Sequence, residues 1–331
     1  MRKQTIFRMS SPYRDDFRIK AYTFGEGSKA LCIVGSMRGD EMQQLYIAGQ
    51  LVERLREAEA QGCIPAGVSV SVIPCANPFS VNIEKRFWAL DGTDINRMFP
   101  GYDRGETTQR IAAGLFEYIK DFSYGIQLAS YYLPGHFLPH VRMMRTGRED
   151  VEDAILFGFP YVAVKGPQPF DTVLLNYNWQ IWDCRAFSLY AGTTETIEPA
   201  TASTAIHAIL RFMWAKGMLT AVQEEAGMLQ AGVVVDEDRM VAVKAPRAGI
   251  LMTEVHPGQK VAQGQVIARI LHSYEGRTVS EVKAPCHGTV FFARNRSIAF
   301  QNTLLFRLVP EWRCPPWWGR QCRRLDHLHC P

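Results

Sequence analysis

The residues with the clearest chemical potential lie in one stretch, Asp91-Gly-Thr-Asp-Ile-Asn-Arg-Met-Phe-Pro-Gly101. Its charged residues, glycines and proline are unsuited to a buried strand or an amphipathic helix, so a loop following a strand is predicted here. Asn96 and Arg97 are adjacent and could clamp a carboxylate, because a guanidinium binds it through two parallel hydrogen bonds and the amide adds a donor. The alternative is a surface loop with an internal Asp–Arg salt bridge, and composition alone does not separate the two.

This stretch resembles the Asp-Gly-x-Asp-(Leu/Ile)-Asn-Arg-x-Phe-Pro-Gly signature of the succinylglutamate desuccinylase/aspartoacylase family, a branch of the zinc carboxypeptidase-like hydrolases. The upstream segments Pro74-Cys-Ala-Asn-Pro78 and Arg86-Phe87 fit the same family block. The resemblance extends over roughly residues 18 to 310. It implies a zinc-dependent amidohydrolase that acts on N-acyl amino acids.

The substrate-binding residues of the resembled family are kept, as Arg86, Asn96 and Arg97. The resemblance implies that these residues hold the carboxylate of the substrate and polarise its carbonyl. With Arg38 added, the cleft is expected to be strongly positive. The expected ligand is therefore an acidic N-acyl amino acid or a related small carboxylate.

The zinc-binding positions of the family are changed. A catalytic zinc uses three protein ligands and an open position for water. Where the family has Gly-x-His-Gly-(Asp/Asn)-Glu, this chain keeps Glu41 but has Arg38 in place of the histidine, and where the family has Asp-Leu-His it has Ala129. A protonated arginine cannot ligate zinc, and two unit charges 4 Å apart repel by ~4 kcal/mol at an effective dielectric of 20. We therefore expect a salt bridge between Arg38 and Glu41 at the metal position.

The general-base position is changed as well. In the resembled family the base comes from Thr-Val-Glu-(Val/Leu)-Gly on a later strand. The best match here is residues 188–192, which puts Tyr190 at the carboxylate position. Another register would use Glu195 or Glu198. The first register is preferred because it also aligns Gly192 and the apolar strand before it.

Other residues could rebuild a metal site. His136 lies shortly after the lost third ligand, and with Glu41 and Asp40 it is a candidate substitute ligand for zinc. The final segment, residues 313–331, is basic and contains cysteines and histidines whose spacing matches no zinc-finger pattern. This tail is expected to be a disordered basic end, and its tryptophans are an alternative anchor for a partner.

Three functions remain open. The favoured one is a non-catalytic family member that binds its carboxylate ligand and acts beside an active paralogue as a scaffold or regulator, because a partial ligand set loses most of its metal affinity. The second is a working hydrolase, with a metal site rebuilt around His136 or with metal-independent chemistry at Tyr190 or Asp94. The third is an interaction protein that binds through its C-terminal β module.

The elements that position these residues alternate between strands and helices. Short apolar runs predict strands at 30–34, 68–74, 124–129, 161–164 and 186–190. Apolar residues at helical spacing predict a helix starting at Asp40, with Asp40 and Glu41 in its first turn, and helices at 106–121 and 200–216. This alternation predicts a mostly parallel sheet with helices on both faces, of the zinc carboxypeptidase-like type, with ligands beyond the carboxyl ends of the strands.

A different texture begins after the linker 219–232. Ala245-Pro-Arg-Ala-Gly-Ile-Leu251 recurs as Ala284-Pro-Cys-His-Gly-Thr-Val290, which resembles the two halves of a biotinyl/lipoyl-type barrel-sandwich. The connection at 273–278 lacks the lysine of a swinging arm, so a structural or gating cap is predicted. The predicted domains are therefore an α/β domain at 1–218, an all-β module at 219–312 and the tail at 313–331.

Composition sets the remaining expectations. The 331 residues carry a formal net charge of +4, with the excess concentrated near the C-terminus, and this balance predicts no nucleic-acid partner. No apolar run is long enough to span a membrane, and the N-terminus lacks the pattern of a signal peptide. Eight cysteines, most of them scattered singly, favour a reducing cytoplasm. The expected partners are a small carboxylate and a paralogous subunit or a second copy of the chain.

Overall fold

The structure is a computed structural model that describes residues 1–11, 15–220 and 232–311. It divides into two compact units, Met1–Arg239 and Met240–Pro331. The strand Val233–Asp236 pairs with Tyr161–Lys165 and so belongs to the first unit. The division therefore falls later than the predicted boundary after residue 218. The predicted tail and most of the predicted linker lie outside the described residues.

The first unit is an α/β domain. Its strands are β1 (Arg2–Met9), β2 (Phe17–Phe24), β3 (Gly27–Ser36), β4 (Gly67–Cys75), β5 (Tyr124–Ala129), β6 (Gly135–Phe137), β7 (His140–Met144), β8 (Tyr161–Lys165), β9 (Arg185–Tyr190) and β10 (Val233–Asp236). Its helices are α1 (Met42–Ala60), α2 (Pro78–Val81), α3 (Thr107–Ile119), α4 (Val151–Ile155), α5 (Leu175–Ile181) and α6 (Pro199–Ala215). Short 3-10 turns cover Ile95–Arg97, Pro169–Asp171 and Glu237–Arg239.

The large sheet of this unit runs in the order β1-β2-β4-β3-β5-β9-β7-β8-β10 among the described residues. The central strands β4, β3, β5 and β9 are parallel to one another, and β7, β8 and β10 are parallel to one another. The pairs β1-β2, β2-β4 and β7-β9 are antiparallel. The predicted mostly parallel sheet is confirmed, with a reversal at β7 that the sequence pattern does not reveal.

Alternation along the strands builds a core on each face of the sheet. In β3, Leu31 and Ile33 contribute to one buried cluster, whereas Cys32 and Val34 contribute to the other. Helices α1 and α6 pack their apolar residues into the first cluster, and α3 and α5 pack theirs into the second. This arrangement is expected for strands whose successive side chains point to opposite faces. The predicted helices on both faces are therefore present.

Helix α1 starts later than predicted. Its first residue is Met42, so Asp40 and Glu41 precede the helix rather than forming its first turn. Glu41 occupies the N-cap position but makes no capping hydrogen bond. Its carboxylate instead accepts the backbone N–H groups of Met37 and Arg38. The Glu41 carboxylate therefore stabilises the loop after β3 rather than the first turn of the helix.

The second unit is all-β. Its strands are β11 (Val241–Lys244), β12 (Gly249–Thr253), β13 (Lys260–Val261), β14 (Val266–Leu271), β15 (Thr278–Lys283), β16 (Gly288–Arg294), β17 (Ile298–Ala299) and β18 (Leu304–Pro310). Within this unit they form two sheets, ordered β11-β18-β16-β13 and β15-β14-β12-β17, around one apolar core. The repeat alanines, Ala245 and Ala284, are both buried in it. Among the described residues, no helix is long and apolar enough to cross a membrane.

Candidate functional site

The candidate residues gather at one edge of the large sheet. Arg38 follows β3, Asn96 follows β4, Ala129 ends β5 and Tyr190 ends β9. These four strands are parallel to one another, so their carboxyl ends meet at the same edge. Ala129 and Tyr190 are direct partners across the β5-β9 pair. The topology therefore brings together positions that lie far apart along the chain.

Arg38 lies between two carboxylates. Its Nη1 donates to Glu41 Oε1 at 3.0 Å, and its Nη2 donates to Asp94 Oδ2 at 2.9 Å. Its Nε donates to the same Asp94 carboxylate at 3.1 and 3.2 Å. Burial lowers the pKa of Arg38, but the charges of Glu41 and Asp94 outweigh burial and raise it, so the guanidinium stays protonated. The Arg38–Glu41 salt bridge is present, and Asp94 is a second partner that the sequence pattern did not identify.

Glu41 has its lone pairs occupied by protein donors. Its Oε2 accepts the backbone N–H groups of Met37 at 2.8 Å and Arg38 at 3.0 Å. Its Oε1 accepts the Ser130 hydroxyl at 2.6 Å as well as the Arg38 guanidinium. The side chain is only 1% exposed. A metal ion could approach Glu41 only after these donors were displaced.

The three predicted substrate-binding residues keep donors to spare. Arg86 gives its Nη1 to Asp40, at 3.1 and 3.3 Å, and Asn96 accepts a hydrogen bond from Gln127 through its Oδ1. Arg97 is half-exposed, with its Nε 3.6 Å from Asp94 Oδ2. Within the described residues, neither the amide nitrogen of Asn96 nor Nη2 of Arg86 or Arg97 has a protein acceptor. These groups can donate to a ligand.

The cluster is electroneutral rather than strongly positive. Arg38, Arg86 and Arg97 are matched by Glu41, Asp40 and Asp94, so three positive charges meet three negative ones. Burial raises the pKa of Asp40 above its usual range, although Arg86 acts in the opposite direction. The expectation of a strongly positive cleft was wrong because it counted the arginines without the carboxylates that face them. The Asp–Arg salt bridge proposed as the alternative for this loop is also present, since Asp94 pairs with Arg97.

The base position is part of a closed aromatic cluster. Tyr190 stacks on His140 with ring centroids 4.8 Å apart, and Tyr131 and Phe137 pack against it at 4.7 and 6.0 Å. The Tyr190 hydroxyl accepts a hydrogen bond from Arg142 Nη1 at 3.0 Å. Only 7% of Tyr190 is exposed. Its ring therefore fills space at the end of β9.

Arg142 is itself a buried charge. It lies on β7 opposite Ser188 of β9, and its Nε is 2.7 Å from Glu237 Oε2. Burial lowers the pKa of Arg142, but the Glu237 charge outweighs this effect and raises it. The pair extends the polar face of the sheet beyond Tyr190 to the turn that follows β10.

Comparisons with known proteins find similar sequences and folds. The family model described as "Succinylglutamate desuccinylase/Aspartoacylase catalytic domain" matches residues 28–126, from the start of β3 into β5. N-alpha-acetyl-L-2,4-diaminobutyric acid deacetylase from Halomonas elongata is 27% identical over 260 residues, which cover 74% of this chain and 71% of the deacetylase.

The chain is therefore similar to the succinylglutamate desuccinylase/aspartoacylase family.

Solved structures of similar proteins share the fold. A succinylglutamate desuccinylase/aspartoacylase from Rhodobacter sphaeroides matches with a TM-score of 0.77 and 20% identity, covering 94% of this chain and 96% of that one. A product-bound structure of the ectoine utilization protein EutE (DoeB) from Ruegeria pomeroyi matches with a TM-score of 0.74 and 16% identity, covering 89% and 90%. At these identities the likeness establishes the zinc carboxypeptidase-like fold.

The family is generally zinc-dependent, but the residues present here do not fit a zinc site. Arg38, which stands where the resemblance places a histidine ligand, is a permanent cation, and Ala129 offers no ligand atom. Glu41 is occupied by four donors. Across the described ranges, no group of three or more His, Cys, Asp or Glu side chains could hold a metal ion. No chemical step through zinc is therefore assigned to this chain.

Among the described residues, the predicted substitute ligands His136, Glu41 and Asp40 form no group that could hold a metal ion. His136 is exposed on β6, whereas Glu41 is almost fully buried. Glu195 is exposed, and Glu198 accepts hydrogen bonds from Thr193 N–H and the Thr201 hydroxyl near the start of α6.

Sequence reasoning missed three participants in the site. Ser130 follows the expected ligand position directly, but a lone serine gives no signal of a carboxylate partner. Arg142 and Glu237 come from elements 95 residues apart, so only the sheet topology reveals their pairing. One available signal was the charge of Arg38, which requires carboxylate partners once the residue is buried. That reasoning could have identified Asp94 within the family signature.

Proposed function

We propose that this protein binds an acidic N-acyl amino acid or a related small carboxylate and does not hydrolyse it through zinc. The main support is that Arg38 stands where the resembled family has a metal ligand and forms salt bridges with Glu41 and Asp94. Zinc hydrolysis needs a Lewis acid to polarise the carbonyl and activate a water molecule. This site instead contains a protonated arginine whose charge is balanced by neighbouring carboxylates.

The proposed ligand binding rests on the side-chain hydrogen-bond donors that have no protein acceptor among the described residues. Asn96 and Arg97 follow β4 at the edge where ligands bind in parallel sheets. An arginine fork together with an amide donor suits a carboxylate. The deacetylase from Halomonas elongata acts, by its name, on an N-acetylated amino acid, which supports a ligand of this class.

Calorimetry with N-acetyl-L-glutamate, combined with metal analysis of the purified chain, tests both halves. We expect saturable binding that Arg97→Ala weakens by about tenfold or more, equivalent to at least about 1.4 kcal/mol. Arg56→Ala is the matched control, because Arg56 is exposed and pairs with the exposed Glu53 on α1. Binding that is unaffected by Arg97→Ala would contradict the clamp.

The same samples address the alternative, an active zinc-dependent deacylase with a rebuilt metal site. Under our proposal the chain contains no stoichiometric zinc and releases no acetate from N-acetyl amino acids. Zinc-dependent turnover that His136→Gln abolishes would establish the alternative. No contact among the described residues favours it, since His136 is exposed whereas Glu41 is buried.

We also propose that the chain acts beside an active paralogue as a scaffold or regulator. The support is the combination of kept ligand-binding residues with changed metal positions, which leaves recognition without hydrolysis. Co-expression with a family member that has complete ligand motifs tests this idea. Co-elution in fixed stoichiometry, with altered turnover of the active subunit, is the expected result. Independent elution of the two chains would contradict it.

A further inference from the structure

Asp94 fixes the conformation of the proposed ligand-binding loop. Its Oδ1 accepts the backbone N–H of Asn96 at 3.1 Å and so caps the 3-10 turn Ile95–Arg97. The same carboxylate lies 3.6 Å from Arg97 Nε. Its side chain is only 9% exposed. The orientation of both clamp residues therefore depends on where this one carboxylate is held.

Arg38 fixes Asp94 from the other side. The guanidinium presents Nε and Nη2 to the two oxygens of Asp94, with donor–acceptor distances of 2.9 to 3.2 Å. This side-on, two-point contact fixes the angle as well as the distance of the carboxylate. An ammonium group, which acts as a point charge, would fix only the distance.

Arg38 is anchored in turn by its own loop. Its Nη1 binds Glu41, which accepts the Met37 and Arg38 backbone N–H groups and the Ser130 hydroxyl after β5. The loops that follow β3, β4 and β5 are thus tied to one guanidinium. A bound cation could tie converging carboxylates together in the same way.

We infer that Arg38 is a positioning residue for ligand binding. Its positive charge, supplied by the chain itself, holds Asp94 so that Asn96 and Arg97 face the ligand. Its own hydrogen-bond donors are directed to carboxylates and not to the ligand. This inference rests on the proposed binding function. It assigns Arg38 a role other than the loss of zinc, because a residue that only blocked a metal would leave carboxylate binding unchanged when removed.

Calorimetry with N-acetyl-L-glutamate on the full chain tests the inference. We expect Arg38→Ala to raise the dissociation constant by about tenfold or more, and Arg38→Lys to leave most of that loss in place. Millimolar methylguanidinium should restore binding to Arg38→Ala, whereas methylammonium should not. A merely structural role would not produce rescue that distinguishes a planar fork from a point charge. The matched control is again Arg56→Ala.

Asp94→Asn keeps the inference testable if Arg38→Ala does not fold. This variant keeps an oxygen for the Asn96 N–H but removes the charge that the guanidinium holds. We expect it to weaken binding, and we expect Arg38→Ala combined with Asp94→Asn to weaken it little further, because both act through one contact. Wild-type chain that binds no carboxylate would overturn the proposed function and this inference with it. Wild-type binding that is lost in Arg97→Ala but unchanged in Arg38→Ala and Asp94→Asn would overturn the inference alone.

Discussion

The buried His140 should make the folded state less stable in acid, and the size of this effect follows from the structure. The ring is fully buried, with Nδ1 donating to the Leu138 carbonyl at 2.8 Å and one face stacked on Tyr190. Burial is the main cause that lowers the pKa of His140 to about 4, against the ordinary value of 6.5. Repulsion from Arg142 adds to this effect, while the Leu138 carbonyl and Glu237 oppose it.

The sign of the effect follows from proton binding in the two states. In the unfolded chain His140 takes up a proton near pH 6.5, whereas in the folded protein it does so only near pH 4. Between these values the unfolded state binds more protons, so lowering the pH destabilises the fold. With about 1.4 kcal/mol per unit of pKa difference, His140 removes about 2 kcal/mol at pH 5 and approaches about 3 kcal/mol below pH 4.

Urea-induced unfolding measured from pH 7 to pH 4.5 checks this value. The fluorescence of Trp88 and Trp179, both buried in the unit that contains His140, reports the transition. We expect His140→Phe to flatten the fall in unfolding free energy with acid by about 2 kcal/mol at pH 5, because phenylalanine cannot be protonated. His136→Gln, at an exposed position, is the control. Equal slopes for His140→Phe and the wild type would refute the reasoning.

Three further perturbations have defined outcomes. Arg142→Met should lower the unfolding free energy by about 3–5 kcal/mol, because it removes the arginine that pairs with the buried Glu237 carboxylate; adding Glu237→Gln should recover much of the loss in urea titrations, and an additive double variant would contradict this. Arg38→His with Ala129→His restores the family's ligand types, so we expect zinc uptake by metal analysis where the wild type shows none, and no uptake would argue against the assignment of these positions. Gly39→Ala should reduce soluble yield and melting temperature, because the added Cβ would lie 2.2 Å from the Lys85 carbonyl oxygen; a wild-type melting temperature would contradict that packing.

The fold could be predicted where local pattern determines structure. The predicted strands at 124–129 and 186–190 correspond closely to β5 and β9, and the predicted helices at 106–121 and 200–216 correspond to α3 and α6. The two strands are short apolar runs buried on both faces, and the two helices have apolar residues at helical spacing. The strand β1 was not predicted, since its exposed and half-buried residues lack a clear alternation. The antiparallel entry of β7 was missed because strand direction depends on partners far along the chain.

The candidate site was predicted only as far as the family signature extends. Arg38, Glu41 and the loop of Asn96 and Arg97 do come together at one edge of the sheet. The charge balance was not foreseen, because it depends on which carboxylates the fold turns toward each arginine. Asp94 lies within the quoted signature, yet its contact with Arg38 spans 56 positions. Long-range ion pairs of this kind leave no periodic trace in a sequence.

The balance of charges at the site has a kinetic consequence. A surface with a net field draws an oppositely charged molecule from a distance and speeds encounter, and dissolved ions screen that attraction. Here the positive and negative groups cancel within a few ångströms of one another, so little field reaches into solution. An anion should therefore arrive by unguided diffusion, at a rate that barely responds to added sodium chloride, and discrimination should reside in how long it stays.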